Sequence, residues 1–384
     1  MRVANMVREL IGSCSPAVHA VRVTAVAAMV EGIIHGGRVS PATIGRVLPG
    51  KALPKHGIKR VDRLLGNPKM VADGPVLFRR IARHLLRGCT RPVILVDWTQ
   101  SGNDVALVAA VPIGGRALPI YIEVHPLKKL SNAVVEKRFL RALKAIVPTE
   151  CHSVIVSDAG FKGPFFQAVL DCGWDFLGRI RGTTKAVSSL GQTISKEQFY
   201  ARASTTPVEL GSFGLFVTQK IPCRLVLVRK RRRPGPKLPP PTCKEEREMR
   251  QAALDPWLLA TSLTEGDAAS IVRIYAQRMQ IEETFRDTKN HRFGWSLGDV
   301  RLSTPERMAV LLTLAALAFV VATLVGMAAE RRGTHRAYQA NTEKRRVLSF
   351  LVLVAAIHRK DSLDAFSLDD LHASLALIPT RASI

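Results

Sequence analysis

The spacing of apolar residues changes along the chain and divides it into regions of different character. Residues 1–90 mix apolar stretches, such as Val18 to Ile34, with basic segments at helical spacing. Ser40-Pro41 is a favourable helix start, because serine caps a helix and proline fits its first turn. The segment KHGIKRVDRLLGNP interleaves lysine and arginine with aliphatic residues. We predict short helices with basic faces, which form either a small DNA-binding region or ordinary solvated helices.

From residue 92 onward, short apolar runs replace the helical spacing and predict β-strands. The predicted strands are PVILVDWTQ, VALVAAVPI, ALPIYIEV, SVIVSDAGF and WDFLGRIRG, with a helix over Ala133 to Val147. Three strands, a helix, a strand, a helix and a strand is the order of a ribonuclease-H-like α/β core. Two of these strands are predicted to end at acids, Asp97 and Asp158. Ligand groups collect at the ends of adjacent strands in an open α/β sheet, so both acids are candidate site residues.

Residues 182–256 interrupt this order. LFVTQK and CRLVLVRK are predicted as short strands, and five consecutive basic residues and a proline-rich run follow them. Consecutive cations beside prolines cannot pack in a core, so this part is expected to be an exposed arm. The strand WLLATSL and one helix from roughly Asp267 to Lys289 come next, before a largely helical C-terminal region.

These patterns predict a mixed α/β protein with helical regions at both ends. The predicted parts are a helical DNA-binding region at 1–90, a ribonuclease-H-like core at 91–181 and 257–300, a β-rich insertion with a basic arm at 182–256, and a helical region at 301–384. The stretch from Met308 to Ala329 has no charge and is long enough to span a bilayer. Its flanks are basic at both ends, which favours a buried helix over a membrane span.

Charge narrows the classes of partner. Lys plus Arg number 56 against 31 Asp plus Glu, giving a formal charge of +25 and a pI near 10.5. Such an excess favours a polyanionic partner and fits ribosomal, membrane-surface and nucleic-acid-processing proteins. The six cysteines are scattered without a C-x-x-C pair, which argues against a zinc knuckle or a redox motif. The N-terminal sequence lacks the apolar run of a secretory signal, so a reduced, cytoplasmic setting is expected.

A second set of candidates lies in the helix predicted at Asp267 to Lys289. At about 100° per residue, Tyr275, Arg278, Glu282 and Lys289 fall on one stripe only about 60° wide. A solvated face with an Arg278–Glu282 pair is the simpler interpretation. Tyrosine and lysine on the same line favour a face turned toward a phosphate backbone.

The spacing Tyr-x2-Arg-x3-Glu-x6-Lys resembles the signature of bacterial transposases of the insertion sequence four family. VDWTQ, IVSDAGFK, GRIRG, PWLLATSL, RMQIEETFRDTK and QANTEKRRVLS resemble the insertion sequence ten (transposon ten) type and occur in its order, from about residue 93 to 349. The resemblance implies that Asp97, Asp158 and Glu282 are a catalytic carboxylate triad. It also implies that Tyr275, Arg278 and Lys289 hold transposon-end DNA, without identifying the family's base-stacking tryptophan among Trp174, Trp257 and Trp295.

Further expectations follow from this resemblance. Three carboxylates can hold two Mg²⁺ or Mn²⁺ ions, which would support strand cleavage by water and strand transfer by a 3′-hydroxyl. The expected partners are the terminal inverted repeats, target DNA and a second copy of the chain, at the nucleoid in the cytoplasm. The basic run of Arg229, Lys230, Arg231, Arg232 and Arg233 is a further DNA-binding candidate.

Competing interpretations remain for the acids and for the chain. Several other acids look like turn, cap or solvated residues; these are Asp62, Asp104, Asp171, Asp175, Asp255, Asp267 and Asp287. Rival functions are an inactive DNA-binding protein with the same fold, another ribonuclease-H-like nuclease such as a junction resolvase, and a basic membrane protein.

Overall fold

The computed structural model describes residues 3–12, 17–230, 240–244, 246–247, 250, 254–292, 294–360 and 363–384. The chain divides into two compact units. The first unit comprises Met1–Cys151 and Met279–Ile384, and the second comprises His152–Arg278. Both units combine helices with strands, so the chain is a mixed α/β protein, as predicted.

The N-terminal part of the first unit is helical, as predicted. Its helices are α1 (Val3–Ile11), α2 (Ala20–Gly36), α3 (Pro41–Arg46), α4 (Pro54–Leu65) and α5 (Pro68–Leu85). The predicted start of α3 is confirmed, because the Ser40 side chain accepts a hydrogen bond from the backbone N–H of Thr43. Apolar residues of α1, α2 and α5 are buried and form part of the core.

Helices α3 and α4 touch through their backbones. A Cβ atom at Gly57 would lie 2.1 Å from the carbonyl oxygen of Gly45, and one at Gly45 would lie 2.5 Å from Ile58 Cα. Only glycine permits so close an approach. The basic side chains of α4 are exposed; these are Lys55, His56, Lys59, Arg60 and Arg63. That this face binds DNA stays a prediction.

Three strands complete the first half of the unit. Strands β1 (Val93–Ser101), β2 (Asp104–Pro112) and β3 (Ala117–Pro126) form an antiparallel meander, and α6 (Ala133–Ile146) follows. Eight of the nine residues of β2 are buried. Both faces of this strand are therefore covered, which explains its unbroken apolar sequence.

The second unit is built on a mixed sheet. Its elements are β4 (Val154–Ser157), α7 (Gly163–Asp171), β5 (Asp175–Ile180), β6 (Ala186–Val187), β7 (Thr193–Ile194), α8 (Lys196–Tyr200), β8 (Val208–Leu215), β9 (Ile221–Val228), β10 (Trp257–Thr261) and α9 (Ala268–Ala276). Within the unit the strand order is β4-β5-β10-β9-β8-β6-β7. Strands β4 and β5 are parallel, whereas β10 is antiparallel to both β5 and β9.

The C-terminal part of the first unit is again helical, as predicted. It contains α10 (Met279–Lys289), α11 (Pro305–Arg331), α12 (Phe350–Lys360), α13 (Leu368–Leu375) and α14 (Ile378–Ala382). Helix α11 is the one described helix that is long and apolar enough to cross a membrane, and 94% of its most apolar window is buried inside the protein. It packs against β3, α2, α5 and α12. This agrees with the prediction of a buried helix at 308–329.

Two secondary-structure predictions are wrong. LFVTQK is not a strand, because β8 ends at Leu215 and the chain turns. Phe216 and Lys220 have φ angles of 63° and 46° in this turn, which an extended strand cannot contain. The single helix predicted from Asp267 to Lys289 is two helices, α9 and α10.

Candidate active site

Asp97 lies within β1 and does not end it, contrary to the prediction. It pairs with Val108 of β2, and the strand continues to Ser101. Residues 93–96 are buried and residues 97–99 are partly exposed, so Asp97 marks the point where the strand leaves the core. Its Oδ1 accepts a hydrogen bond of 2.9 Å from the backbone N–H of Trp98. The Trp98 indole donates to buried Glu136 over 3.1 Å, which fixes the residue next to Asp97.

Lys289 connects α10 with the same strand. Its Nζ donates a hydrogen bond of 2.6 Å to Thr99 Oγ1 on β1. Burial lowers the pKa of Lys289, while the negative charge of Asp97 opposes that shift. A cation at the last turn of α10 therefore lies within electrostatic reach of Asp97.

One face of α10 is fixed to the loop between β2 and β3. The Gln280 side-chain oxygen accepts the backbone N–H groups of residues 113–115 at 3.2, 3.0 and 3.0 Å. Buried Thr284 exchanges hydrogen bonds with the backbone of Ala117 at 2.8 and 3.0 Å. Asp287 binds Arg116 through both carboxylate oxygens, at 2.8 and 3.1 Å. These contacts set the rotation of α10 about its axis.

The three acids of α10 point in different directions, so the orientation of the helix gives each of them different neighbours. Glu283 lies 3.8 Å from Arg116 and also pairs with Arg286, and Asp287 binds Arg116. The contact of Asp287 with Arg116 agrees with the prediction that Asp287 is structural or solvated. Glu282 is displaced by about 100° from Glu283 around the helix and lies one heptad before Lys289, on the same face. Of these three acids, Glu282 therefore shares the face of the cation that binds β1.

The predicted stripe of four residues does not run along a single helix. After α9, the N–H groups of Gln277 and Arg278 bond to carbonyls three residues back, at 3.1 and 3.0 Å, and α10 starts at Met279. This turn breaks the α-helical spacing, so angles counted from Tyr275 do not extend to Glu282. The common stripe is therefore wrong for Tyr275 and Arg278, although Glu282 and Lys289 do share a face of α10.

Asp158 follows β4 directly, as predicted. Its Oδ1 accepts a hydrogen bond of 2.8 Å from the backbone N–H of Gly160. A Cβ atom at Gly160 would lie 3.0 Å from Oδ1, so glycine leaves room for this turn. The carboxylate is partly exposed at the end of a buried strand.

Tyr275 is buried, with 3% of its surface exposed, and its ring packs edge-on against Trp257 with centroids 4.8 Å apart. Burial raises the pKa of Tyr275 to about 12, and the negative charge of Asp158 acts in the same direction. The Arg278 side chain is its hydrogen-bond partner and opposes the shift. Tyr275 is thus placed to orient Arg278 from the interior, and that it holds DNA stays a prediction.

The tryptophans named from the sequence are core residues. Trp174, Trp257 and Trp295 are 1%, 7% and 3% exposed. Arg229 and Lys230 of the basic run are exposed, and Lys230 Nζ lies 3.9 Å from the centre of the Trp257 ring. The other candidates of that run, Arg231, Arg232 and Arg233, lie outside the described residues.

Most of the acids that were not predicted to be catalytic make contacts within the protein. Asp267 caps α9 by accepting the N–H of Ser270, and Asp62 pairs with Arg307. Asp171 accepts from Gln167, and Asp175 binds Ser262 and His152. These contacts agree with the structural roles predicted for them.

The three candidate acids offer the oxygen ligands that Mg²⁺ prefers. Asp97 and Glu282 belong to the first unit and Asp158 to the second. Among the residues that the structure describes, no group of three or more His, Cys, Asp or Glu side chains is arranged to hold a metal ion. The chemistry of the donors therefore fits a divalent cation, while the described side chains contain no preformed cluster of ligands.

Sequence analysis missed a group of polar residues in the second unit. Arg179 and Arg181 lie in the GRIRG segment, which contributed to the resemblance but was given no role. Tyr200 ends α8 and carries no recognisable motif. The fold brings these residues together, and only the alternation of arginines in GRIRG could have signalled it.

Comparison with protein families identifies the chain. A family model described as the transposase DDE domain matches residues 109–321. The match covers more than half of the chain, includes Asp158 and Glu282, and begins after Asp97. No curated protein matches the chain. The chain therefore belongs to the family of transposases with a DDE domain.

Proposed function

We propose that the chain is the cut-and-paste transposase of a bacterial insertion sequence, of the insertion sequence four family and nearest its insertion sequence ten type. The family match supports transposase function. The finer assignment is supported by the Tyr-x2-Arg-x3-Glu-x6-Lys spacing and by the order of the quoted sequence blocks. One structural observation carries the choice of residues: Lys289 binds Thr99 beside Asp97, and Glu282 shares its face of α10.

The proposed catalytic acids are Asp97, Asp158 and Glu282, within a ribonuclease-H-like core. In this proposal residues 91–181 and 257–300 form the core, 182–256 are a β-rich insertion with a basic arm, 1–90 bind DNA, and 301–384 are a helical C-terminal region. The positions of Asp97 within β1, where the strand leaves the core, and of Asp158 directly after β4 support the assignment. Glu283 and Asp287 form ion pairs with Arg116, which supports Glu282 as the catalytic acid of α10.

The three acids would hold two Mg²⁺ or Mn²⁺ ions. Such ions activate a water, stabilise the charge on the phosphate and neutralise the leaving oxygen. Lys289 would hold a DNA phosphate near Asp97, and Arg278 would hold a second one under the orientation set by Tyr275. Because only the nucleophile differs, one site can serve cleavage by water and transfer by a 3′-hydroxyl.

The proposed substrates are the terminal inverted repeats and target DNA. The resemblance further supports action as a homodimer on paired ends, with a hairpin at each end as intermediate, at the bacterial nucleoid. The net charge of +25 favours this polyanionic partner.

Cleavage of a duplex that carries the element's own ends, with and without Mg²⁺, tests the proposal. We expect Mg²⁺-dependent nicking by the wild type and none by Asp97→Asn or Asp158→Asn, with end binding retained. Binding of Mn²⁺ followed by electron paramagnetic resonance gives a readout that does not depend on turnover. A chain that binds the ends yet never nicks them would be an inactive DNA-binding protein, and near-wild-type nicking by either variant would reject that acid.

We further infer that the run of Arg229 to Arg233 provides DNA affinity and no catalytic group. Five adjacent cations can gather phosphates without fixed geometry. Neutralising the run should flatten the plot of log affinity against log salt by about 0.9 for each DNA phosphate that the run neutralises in the wild type. Cleavage at saturating DNA should be unchanged, and equal slopes for wild type and variant would reject the inference.

A further inference from the structure

Strand β1 is bound from both of its faces at the point where it leaves the core. Successive side chains of a strand point to opposite faces of the sheet, so Asp97 and Thr99 share one face and Trp98 lies on the other. On the first face, Lys289 of α10 donates a hydrogen bond of 2.6 Å to Thr99. On the opposite face, the Trp98 indole donates to Glu136 of α6 over 3.1 Å. Asp97 therefore lies between two bonds that fix the strand.

Glu136 is an unusual residue to find on the buried face of α6. Only 3% of its surface is exposed. The other buried residues of this helix are apolar; these are Val135, Phe139, Leu140, Leu143 and Ile146. A buried carboxylate lowers stability unless polar partners compensate, whereas an aliphatic side chain at this position would pack without that cost. Packing alone therefore favours an apolar residue here, and the bond to the Trp98 indole indicates why a carboxylate is present.

His125 contacts the same indole. Its ring lies edge-on to that of Trp98, with centroids 6.1 Å apart. His125 is 8% exposed, and its Nε2 lies 3.1 Å from Glu123 Oε2. Glu123 also accepts hydrogen bonds from the Tyr121 hydroxyl at 2.7 Å and from Arg138 at 3.1 Å. Burial acts to raise the pKa of Glu123, but these hydrogen bonds outweigh it and lower the pKa, so the carboxylate stays ionised and holds His125 in place.

The backbone of Trp98 connects these contacts to Asp97. Trp98 pairs with Leu107 of β2, and its backbone N–H donates a hydrogen bond of 2.9 Å to Asp97 Oδ1. The direction of the Asp97 carboxylate thus depends on how the next residue is held. A carboxylate that is oriented before a metal ion arrives loses less freedom on binding, so the groups that orient it raise the affinity for the ion.

We propose that Trp98, held by Glu136 and His125, is a positioning residue that sets the orientation of the Asp97 carboxylate. The inference rests on the proposed function, in which this carboxylate binds metal ions. The alternative is that the same contacts only attach α6 to the sheet. Their loss would then lower the stability of the protein and leave both the Asp97 hydrogen bond and the affinity for metal unchanged.

Hydrogen–deuterium exchange at the backbone amide of residue 98, in the full chain without metal or DNA, tests the first step. We expect Glu136→Leu to speed this exchange by about tenfold, because the amide loses its fixed position beside Asp97. Trp98→Phe should do the same after correction for the intrinsic rate of the new side chain, so the test does not depend on one variant that may misfold. Glu136→Gln keeps an acceptor oxygen and should restore slow exchange. Lys137→Gln, an exposed neighbour on α6, is the control and should match the wild type.

Affinity for Mn²⁺, followed by electron paramagnetic resonance, tests the second step. Trp98→Phe and Glu136→Leu should each raise the dissociation constant by roughly tenfold, the loss typical when a group that orients a metal ligand is removed. Glu136→Gln and Lys137→Gln should bind Mn²⁺ nearly as the wild type does. Asp97→Asn is measured beside them, because it shows whether Asp97 itself contributes to metal binding.

The outcomes separate this inference from the proposed function. Exchange at the wild-type rate in both Trp98→Phe and Glu136→Leu overturns the positioning role, whatever the affinity for Mn²⁺. Wild-type Mn²⁺ affinity in these two variants also overturns it if Asp97→Asn binds Mn²⁺ more weakly. Undiminished Mn²⁺ binding by Asp97→Asn instead rejects Asp97 as a metal ligand, which is a failure of the proposed function, while faster exchange in the two variants still supports the orienting role of Trp98.

Discussion

Two consecutive helices, α9 and α10, hold their candidate functional residues by different means. Helix α10 is fixed by polar bonds from Gln280, Thr284 and Asp287 to the β2–β3 loop. Near α9, Arg278 is instead oriented by a buried tyrosine that packs on Trp257. Polar bonds have strict geometry and define rotation about the helix axis, whereas aromatic packing tolerates small shifts.

This difference indicates which contacts determine the positions of Glu282 and Arg278. Rotation of α10 about its axis decides whether the face that carries Glu282 and Lys289, or the face that carries Glu283, is turned toward β1, so the docking bonds govern the chemistry indirectly. Arg278 donates a hydrogen bond to Tyr275, a residue that is 3% exposed. Substitutions on the two helices should therefore fail in distinguishable ways.

The largest effect is expected from Glu282. We expect Glu282→Gln to lower the cleavage rate by on the order of 10³-fold or more, because a metal-binding carboxylate is lost. Glu283→Gln is the matched control one residue away, and it should lower the rate less than about threefold, since its partly exposed pair with Arg116 contributes about 0–1 kcal/mol. Single-turnover nicking in Mg²⁺ measures both. An inactive Glu283→Gln beside an active Glu282→Gln would mean that the other face of α10 points to the metals.

A smaller loss is expected from the two cations. Arg278→Ala and Lys289→Ala should each slow cleavage by on the order of 100-fold, because a phosphate displaced by about 1 Å reacts that much more slowly. Each variant also loses a hydrogen bond within the protein, so its melting temperature should fall by about 1–3 °C. Arg286→Ala, an exposed cation on α10, is the control and should cleave normally. Unaltered cleavage by both variants would show that neither side chain holds DNA and would favour the interpretation of a solvated face.

Substitutions on the face of α10 that binds the β2–β3 loop should lower the stability of the protein. Thr284 is 2% exposed and serves both backbone groups of Ala117. Thr284→Val should therefore lower the free energy of unfolding by about 1–3 kcal/mol, since a buried N–H and C=O lose their partner. Thr288→Val is the control, because among the described residues its hydroxyl bonds to carbonyls of its own helix. Equal unfolding curves in urea for the two variants would show that Thr284 does not fix the helix.

The sequence predicted much of this arrangement, because the relevant signals are local. Apolar runs located the strands, and the acid after β4 stood at its end as expected. Asp97 was misplaced within its strand because the apolar run stops there, whereas β1 continues through the polar residues Thr99 and Gln100 by pairing with β2. A sequence pattern records burial and does not record hydrogen bonding to a neighbouring strand.

The break between α9 and α10 had no such signal. Ile274 and Ile281 are buried seven residues apart, so the apolar spacing of a single helix continues across the turn. Neither glycine nor proline marks the turn at Gln277 and Arg278. The cluster around Tyr200 was equally hidden, since it depends on strand pairing between distant segments of the chain.

The smallest effect on cleavage is expected from Tyr275 of α9, which acts either on DNA directly or through Arg278. Tyr275→Phe keeps the ring on Trp257 and removes one hydrogen-bond acceptor of Arg278. We expect a loss of about 0.5–1.5 kcal/mol in the free energy of unfolding. Cleavage should fall only severalfold, because Arg278 keeps its charge and loses part of its orientation.

A double-mutant cycle decides between the two roles of Tyr275. If its hydroxyl acts only by orienting Arg278, then Tyr275→Phe should have no additional effect on cleavage in an Arg278→Ala background. If the hydroxyl contacts DNA by itself, the two losses should multiply. The buried position of the ring, with Trp257 against it and 3% of its surface exposed, favours the first result. Multiplicative losses would place Tyr275 on the DNA and would require α9 to expose it when DNA binds.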